Sequence, residues 1–174
     1  MKMKLTIREL TVFSMLGTLM YISKIVMEAL PNIHLLGTFT VAFTVVYRWK
    51  ALYPIYIYVL LNGIFAGFSM WWMPYLYIWT ILWGIVMLLP KRMPKMVQVI
   101  VYAAVNALHG YSFGILYAPA NAIMYNLNFE KTVAWVAAGL PFDIMHGTGN
   151  VVCGFLIVPI IMIVRQMEQS TKQT

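Results

Sequence analysis

Residues 51–90 read ALYPIYIYVLLNGIFAGFSMWWMPYLYIWTILWGIVMLLP and contain no charged side chain. A helix that crosses a bilayer needs about 20 consecutive, mostly apolar residues. This stretch is therefore long enough for two membrane-spanning helices. We predict one span over residues 51–70 and a second over residues 73–89, which ends at Pro90.

The rest of the chain has the same apolar character. Of its 174 residues, 62% are hydrophobic and 10% are charged, whereas an average soluble domain is about 25% charged. Because so few polar side chains cannot cover a soluble surface, lipid must cover part of this one. We predict an all-α protein with one transmembrane domain, residues 1–174, built as a six-helix bundle. The remaining spans are predicted at 10–30, 33–47, 96–117 and 140–164, with 121–139 as a re-entrant or interfacial helix.

The positions of the basic residues predict the orientation of this bundle. The net charge of +7 fits either a nucleic-acid-binding surface or the excess of Lys and Arg that cytoplasmic loops carry. In the six-span arrangement only Lys24 and Lys131 fall on one side, so we expect cytoplasmic termini and no nucleic-acid partner. The ten on the other side are Lys2, Lys4, Arg8, Arg48, Lys50, Lys91, Arg92, Lys95, Arg165 and Lys172.

Polar and aromatic side chains concentrate toward the predicted outer side. Asp143, His146 and Asn150 are spaced i, i+3 and i+7, which places them on one face of a helix. Ionisable groups inside a membrane usually face the bundle interior or a watery cavity. A cavity with aromatic walls and a few converging polar groups is typical of small-molecule sites. The other groups on this side are Lys24, Glu28, Asn32, His34, Trp71, Trp72, Tyr75, Tyr77, Asn106, His109, Tyr111 and Ser112.

Several of these residues also have ordinary structural explanations. Lys24 and Glu28, spaced i, i+4, can pair at the interface. His109 can hydrogen-bond between helices, and Asp143 can cap the sixth span behind Pro141. The Trp and Tyr residues around Trp72 suit an interfacial belt as well as a stacking platform.

Catalytic motifs are lacking in the sequence. A metal site of Asp143 and His146 with His109 or His34 is conceivable, but there is no His-Glu-x-x-His motif and no cysteine pair. A Gly-x-x-x-x-Gly-Lys-Ser/Thr loop is absent too, so a partner must supply any energy from ATP. We expect no catalytic residue, no metal and no cofactor.

The first span carries a stripe of small residues. Ser14 and Thr18 are spaced i, i+4, and Gly17 lies beside them. Small residues at this spacing let another helix approach closely. The stripe therefore serves either packing within the bundle or docking onto another membrane subunit.

Residues 138–150, AGLPFDIMHGTGN, resemble the sixth-helix signature of the substrate-binding S components of energy-coupling factor (ECF) vitamin transporters. Residues 109–119, HGYSFGILYAP, are similar to the end of the fifth helix in the same family. The length, the six spans and the cytoplasmic termini also fit, so the resemblance covers essentially the whole chain.

The resemblance implies a binding subunit in a bacterial plasma membrane that captures a vitamin or vitamin precursor from outside. Its implied partners are membrane lipid, a transmembrane coupling subunit and two cytoplasmic ATPases. The family's docking stripe is commonly Ala-x-x-x-Ala, and here Ser14, Gly17 and Thr18 occupy that place. The implied substrate-binding residues are Trp72, Tyr75, Trp79, Asn106, His109, Asp143, His146 and Asn150.

The substrate itself stays open at this stage. Aromatic residues suit stacking on a flat heterocycle, which favours a pyridine or pyrimidine such as pyridoxine or a thiamine precursor, while cobalamin and riboflavin stay possible. Two other functions compete with the S component. One is an ion-coupled carrier that works alone, with Asp143 or Glu28 as its coupling carboxylate. The other is a metal-dependent intramembrane enzyme.

Overall fold

The computed structural model describes residues 5–30 and 32–170, and within these ranges the chain is helical and has no strand. Three residues used above, Lys2, Lys4 and Lys172, lie outside the described ranges. Short 3₁₀ turns precede α3 and α4. The helices are α1 (Ile7–Val26), α2 (Leu36–Tyr47), α3 (Leu52–Ala66), α4 (Tyr75–Leu88), α5 (Lys95–Tyr111), α6 (Phe113–Met124), α7 (Phe129–Gly154) and α8 (Ile157–Ser170).

Helix α1 begins at a capping box. The Thr6 hydroxyl accepts a hydrogen bond from the Glu9 N–H at 3.1 Å, and the Glu9 carboxylate accepts one from the Thr6 N–H at 3.1 Å. The helix ends at Val26, so Lys24 and Glu28 do not share a helix face as predicted. No ion pair joins them in the described part of the chain.

Helix α2 forms the centre of the bundle. Every residue from Leu36 to Thr44 is buried, and α4 and α8 pack against it. A helix that is apolar on all sides belongs in the interior. At 12 residues α2 is about 18 Å long, which is shorter than the roughly 30 Å hydrocarbon core.

The structure confirms an all-helical chain with helices suited to a membrane. Among the described residues, three segments are long and apolar enough to cross a bilayer: Ile7–Val26, Met70–Leu88 and Lys95–Met124. A fourth, Phe129–Gly154 with Ile157–Ser170, qualifies as one span bent by 50°. Helices α2 and α3 are shorter than these.

The second half of the chain is divided differently from the prediction. Residues 121–139 do not form a separate element, because α6 continues to Met124 and α7 already begins at Phe129. The Asn128 side chain caps α7 by accepting a hydrogen bond from the Lys131 N–H at 2.9 Å. Pro141, expected at the start of the last span, lies inside α7.

A close seam joins α7 to α5 and to the first turn of α6. A Cβ atom placed on Gly110 would lie 2.8 Å from Gly147 Cα, so these backbones are almost in contact. The Asn106 and Asn150 amides each donate to the backbone carbonyl of the other residue at 3.0 Å. Residues spaced three or four apart on α7 thus hold one face of that helix against α5 and the start of α6. The four pairs are Ala103–Gly154, Asn106–Asn150, Gly110–Gly147 and Gly114–Asp143.

Polar contacts gather the start of α1, the end of α2 and the end of α8 at one end of the bundle, here called the basic end. Arg8 and Glu168 form an ion pair at 3.5 Å, and Lys50 pairs with Glu9. The Tyr47 hydroxyl donates to the Glu168 carboxylate at 3.1 Å. The end of α1 and the loop before α2 therefore lie at the opposite end.

Candidate functional site

A cavity of about 410 Å³ opens at the end opposite the basic end. It lies between the end of α1, the loop before α2, the start of α4, α6 and the first half of α7. Most of its wall is apolar or aromatic, and a few charged and imidazole groups interrupt it. The lining residues are Lys24, Met27, Glu28, Leu30, Asn32, Ile33, His34, Tyr75, Phe113, Gly114, Tyr117, Trp135, Gly139, Phe142, Asp143 and His146.

Rings in mutual contact form one wall of this cavity. The His146 ring lies 4.7 Å from the ring of His34 and 4.8 Å from that of Phe113, centroid to centroid, and both pairs meet edge to face. Tyr117 and Trp135 are nearly parallel, with centroids 6.1 Å apart. A flat ligand entering this cavity meets ring faces and edges of the kind that aromatic groups pack against.

Two imidazole nitrogens in the lining have no hydrogen-bond partner. His34 Nδ1 and His146 Nε2 are both buried, and neither reaches a donor or acceptor among the described residues. Leaving such a group unsatisfied costs about 1–3 kcal/mol. Burial lowers the pKa of His34, which lies in the loop before α2, to about 4, so its ring is neutral at pH 7. Both side chains line the cavity, so their nitrogens are candidates for hydrogen bonds to a polar ligand.

Asp143 joins two helices at the cavity wall. The Gly114 N–H, in the first turn of α6, donates to both carboxylate oxygens of Asp143 at 3.0 and 3.1 Å. A carboxylate at a helix N-terminus is stabilised by the free N–H groups and the helix dipole. A Cβ on Gly114 would lie 2.4 Å from Asp143 Oδ2, so this contact requires glycine. Asp143 thus caps α6 rather than its own helix.

Lys24 and Glu28 place two opposite charges at the cavity. Both line it, and no ion pair joins them within the described residues. The Lys24 side chain is half-buried and that of Glu28 is exposed. The two side chains thus offer a charged donor and a charged acceptor to a ligand.

The predicted binding residues separate into three groups. Tyr75, Asp143 and His146 line the cavity. Trp79 and His109 form the buried layer beneath it, where their ring centroids are 5.5 Å apart and Trp79 lies 6.3 Å from His34. The Trp79 Nε1 and His109 Nδ1 atoms are buried without a partner.

The other three predicted residues do not line the cavity. The Trp72 indole donates to the Val59 carbonyl at 2.8 Å. Asn106 and Asn150 hold the seam between α5 and α7 through their reciprocal hydrogen bonds. Asn106 Nδ2 also lies 3.3 Å from the Thr38 hydroxyl.

Four aromatic lining residues were not predicted as binding residues: Phe113, Tyr117, Trp135 and Phe142. Phe113 and Tyr117 follow His109 at i+4 and i+8, so helical spacing alone would have placed them on the same face. Trp135 belongs to the stretch that was assigned to a separate helix. His34 was considered only as an outer-loop group or metal ligand, although the structure places it against His146.

The small-residue stripe of α1 has two sides. Gly17 is buried against α3, where a Cβ would lie 2.6 Å from the Ile57 side chain and 2.9 Å from the Pro54 carbonyl oxygen. Ser14 is half-buried, and Thr18 is exposed. Gly17 therefore serves packing within the bundle, and Thr18 is available to a partner.

Known proteins and metal sites provide no further assignment. No family model, no curated protein and no solved structure matches the chain. Residues 5–30 and 32–170 hold no group of three or more His, Cys, Asp or Glu residues arranged to bind a metal ion. We therefore infer the function from the chemistry of the cavity and from the sequence resemblance.

Proposed function

We propose that this protein captures a water-soluble heterocyclic vitamin or vitamin precursor, as the substrate-binding S component of an ECF-type importer. The observation that carries the proposal is the cavity between α1, α4, α6 and α7. It combines stacked rings with two unpartnered imidazole nitrogens, those of His34 and His146. A binding protein leaves such atoms for its ligand to satisfy.

The size of the cavity favours a small ligand. At about 410 Å³ it lies toward the lower end of the roughly 300–1,000 Å³ that small-molecule pockets span. A single substituted pyridine or pyrimidine ring of the pyridoxine or thiamine-precursor type fits this space. Cobalamin, by contrast, is too large for a space of this volume.

Each polar group of the lining has a ligand group that it suits. The imidazoles of His34 and His146 exchange hydrogen bonds with ring nitrogens or hydroxyls, because a neutral imidazole has one donor and one acceptor. Tyr117 and Trp135 present a stacked pair for the ring of the ligand. Lys24 is placed for a ligand's anionic or hydroxyl group.

The membrane topology that goes with this function has six spans and both termini in the cytoplasm. The basic end carries Arg8, Arg48, Lys50, Lys91 and Arg165, which suits the cytoplasmic face. The cavity then faces outward. The short helices α2 and α3 are the second and third of the six spans. Helix α2 is short for a span, but neighbouring helices cover it.

Delivery of the ligand requires partners in this proposal. A transmembrane coupling subunit would dock at α1 around Ser14 and Thr18, and two cytoplasmic ATPases would supply the energy. The chain itself would bind and release without catalysing a reaction. Its location would be a bacterial plasma membrane.

Ligand binding to the purified full-length protein tests the proposal. We expect one member of a panel of radiolabelled vitamins, with a pyridine or pyrimidine ring, to bind saturably. His146→Phe keeps the ring packing but removes both nitrogens, so it should weaken binding about ten- to a hundredfold, the worth of one or two hydrogen bonds. Trp72→Phe, outside the cavity, is the control and should bind normally. Absence of binding across the whole panel contradicts the proposal.

A further inference from the structure

A second cavity, of about 250 Å³, lies at the basic end and gathers three cationic side chains. Arg48 comes from the turn between α2 and α3, Lys91 from the loop before α5, and Arg165 from α8. They are distant in sequence and converge only in the fold. The rest of the lining is Val45, Val86, Leu89, Pro90 and Tyr102.

No carboxylate balances these charges. The lining contains no Asp or Glu. The two acidic residues of the basic end, Glu9 and Glu168, are engaged with Lys50, Arg8 and Tyr47 and line a different cavity. Three cations around one hollow repel one another unless an anion lies between them.

Arg48 is held in place at this cavity. Its backbone has φ 54°, a conformation that residues other than glycine rarely adopt. Its guanidinium donates to the Met87 carbonyl at 2.8 Å, and the Trp83 indole donates to the Arg48 carbonyl at 3.1 Å. One guanidinium nitrogen is used in this way, and the others remain for a ligand. Guanidinium groups bind phosphate through paired N–H donors.

Exposed apolar side chains lie close in sequence to the residues that line the cavity. Leu88, which precedes two lining residues, is 87% exposed, and Met162 and Ile163, just before Arg165, are each 57% exposed. Such side chains contact acyl chains when the bundle lies in lipid. A polar hollow beside an apolar surface matches a phospholipid, whose phosphate adjoins its tails.

We propose that the cavity of Arg48, Lys91 and Arg165 binds the phosphate of an anionic phospholipid headgroup. The phosphate replaces the missing carboxylate, and the acyl chains lie along the exposed surface near Leu88. This site is independent of the outward cavity. Its function is to fix the depth and the orientation of the basic end in a leaflet rich in anionic lipid.

Native mass spectrometry of the purified full-length protein tests this site. The protein is titrated with phosphatidylglycerol and with phosphatidylcholine of the same acyl chains. The double variant Lys91→Gln/Arg165→Gln removes two lining charges and leaves Arg48, with its packing role, intact. The matched control Arg92→Gln/Lys95→Gln removes two exposed charges from the same region that do not line the cavity.

We expect the wild type to prefer phosphatidylglycerol and the lining variant to lose that affinity by about twenty-five-fold, or about fivefold for each cation. The control should lose no more than about twofold, because exposed charges that do not contact the phosphate contribute little to its binding. Equal losses in the two variants, or no preference for phosphatidylglycerol, would overturn the proposal. Inorganic phosphate is titrated in parallel. If it binds with the same dependence on Lys91 and Arg165 while the lipid does not, the phosphate site stands and the lipid assignment is overturned.

Discussion

Replacing Gly110 by alanine tests the closest approach in the bundle, where α5 meets α7. The new Cβ would lie 2.7 Å from Asn150 Nδ2, 2.8 Å from Gly147 Cα and 3.0 Å from Gly147 N. Carbon atoms in contact prefer about 3.5–4.0 Å, so the helices must separate by roughly 0.5–1 Å. Two of the three contacts are with backbone, which cannot rotate away.

Two effects of this substitution destabilise the fold, and one smaller effect stabilises it. Overpacking of this kind costs about 1–3 kcal/mol, and stretching the reciprocal hydrogen bonds of Asn106 and Asn150 adds about 1 kcal/mol. The higher helix propensity of alanine stabilises the variant by up to about 1 kcal/mol. The net destabilisation is therefore about 1–3 kcal/mol. At about 2–4 °C for each kcal/mol in a chain of this length, the unfolding midpoint should fall by about 2–12 °C.

Gly84→Ala is the matched control for this substitution. Gly84 lies in α4, and a Cβ there would meet no heavy atom within 4 Å. Its substitution adds only the higher helix propensity of alanine, so the unfolding midpoint should stay the same or rise by a few degrees. Both variants and the wild type are compared by thermal unfolding in one detergent at one heating rate, because midpoints of irreversible unfolding depend on rate. If Gly110→Ala is as stable as Gly84→Ala, the described seam between α5 and α7 is wrong.

Three further predictions concern the cap of α6, the loop before α2 and the exposed side of α1. Asp143→Asn should keep one hydrogen bond to Gly114 and lose about 0.5–1 kcal/mol of stability, whereas Asp143→Ala should lose about 1–2 kcal/mol; urea unfolding in mixed micelles that shows equal losses would contradict the capping role. Because the folded pKa of His34, about 4, lies below the usual 6.5, its contribution to stability is complete above pH 6.5 and declines toward pH 4. Unfolding midpoints at pH 7.5 and 5 should therefore differ less in His34→Phe than in the wild type, and an unchanged difference would refute this. Thr18→Trp should leave vitamin binding intact and abolish uptake when the partner subunits are co-expressed; normal uptake would remove the docking role of α1.

The all-helical architecture could be predicted from composition, because an apolar chain with few charges must be covered by lipid and must satisfy its backbone within helices. Boundaries were less predictable. Pro141 indicated the start of a helix, but the Asn128 cap allows α7 to begin earlier and to accommodate the proline inside. Sequence spacing shows which residues share a face, and it does not show which neighbouring helix that face meets.

The site illustrates this distinction. Asp143, His146 and Asn150 were predicted to converge on one cavity, yet Asn150 turns into the α5 seam while His146 reaches the cavity. The contribution of His34 depends on how the loop before α2 folds over α7, and no local pattern indicates it. Trp135 reaches the wall because α7 extends past Pro141, which the predicted span limits did not allow.

Mass spectrometry of the small molecules released from the purified protein tests the central claim most directly. We predict that the wild type carries a small heterocyclic compound of the pyridine or pyrimidine type, in an amount close to one molecule per chain. The double variant His34→Phe/His146→Phe, folded and purified in the same way, should lack it. A wild-type protein that carries no such compound and binds none when supplied, or a compound that the double variant retains in full, would contradict the claim that this cavity is a ligand site.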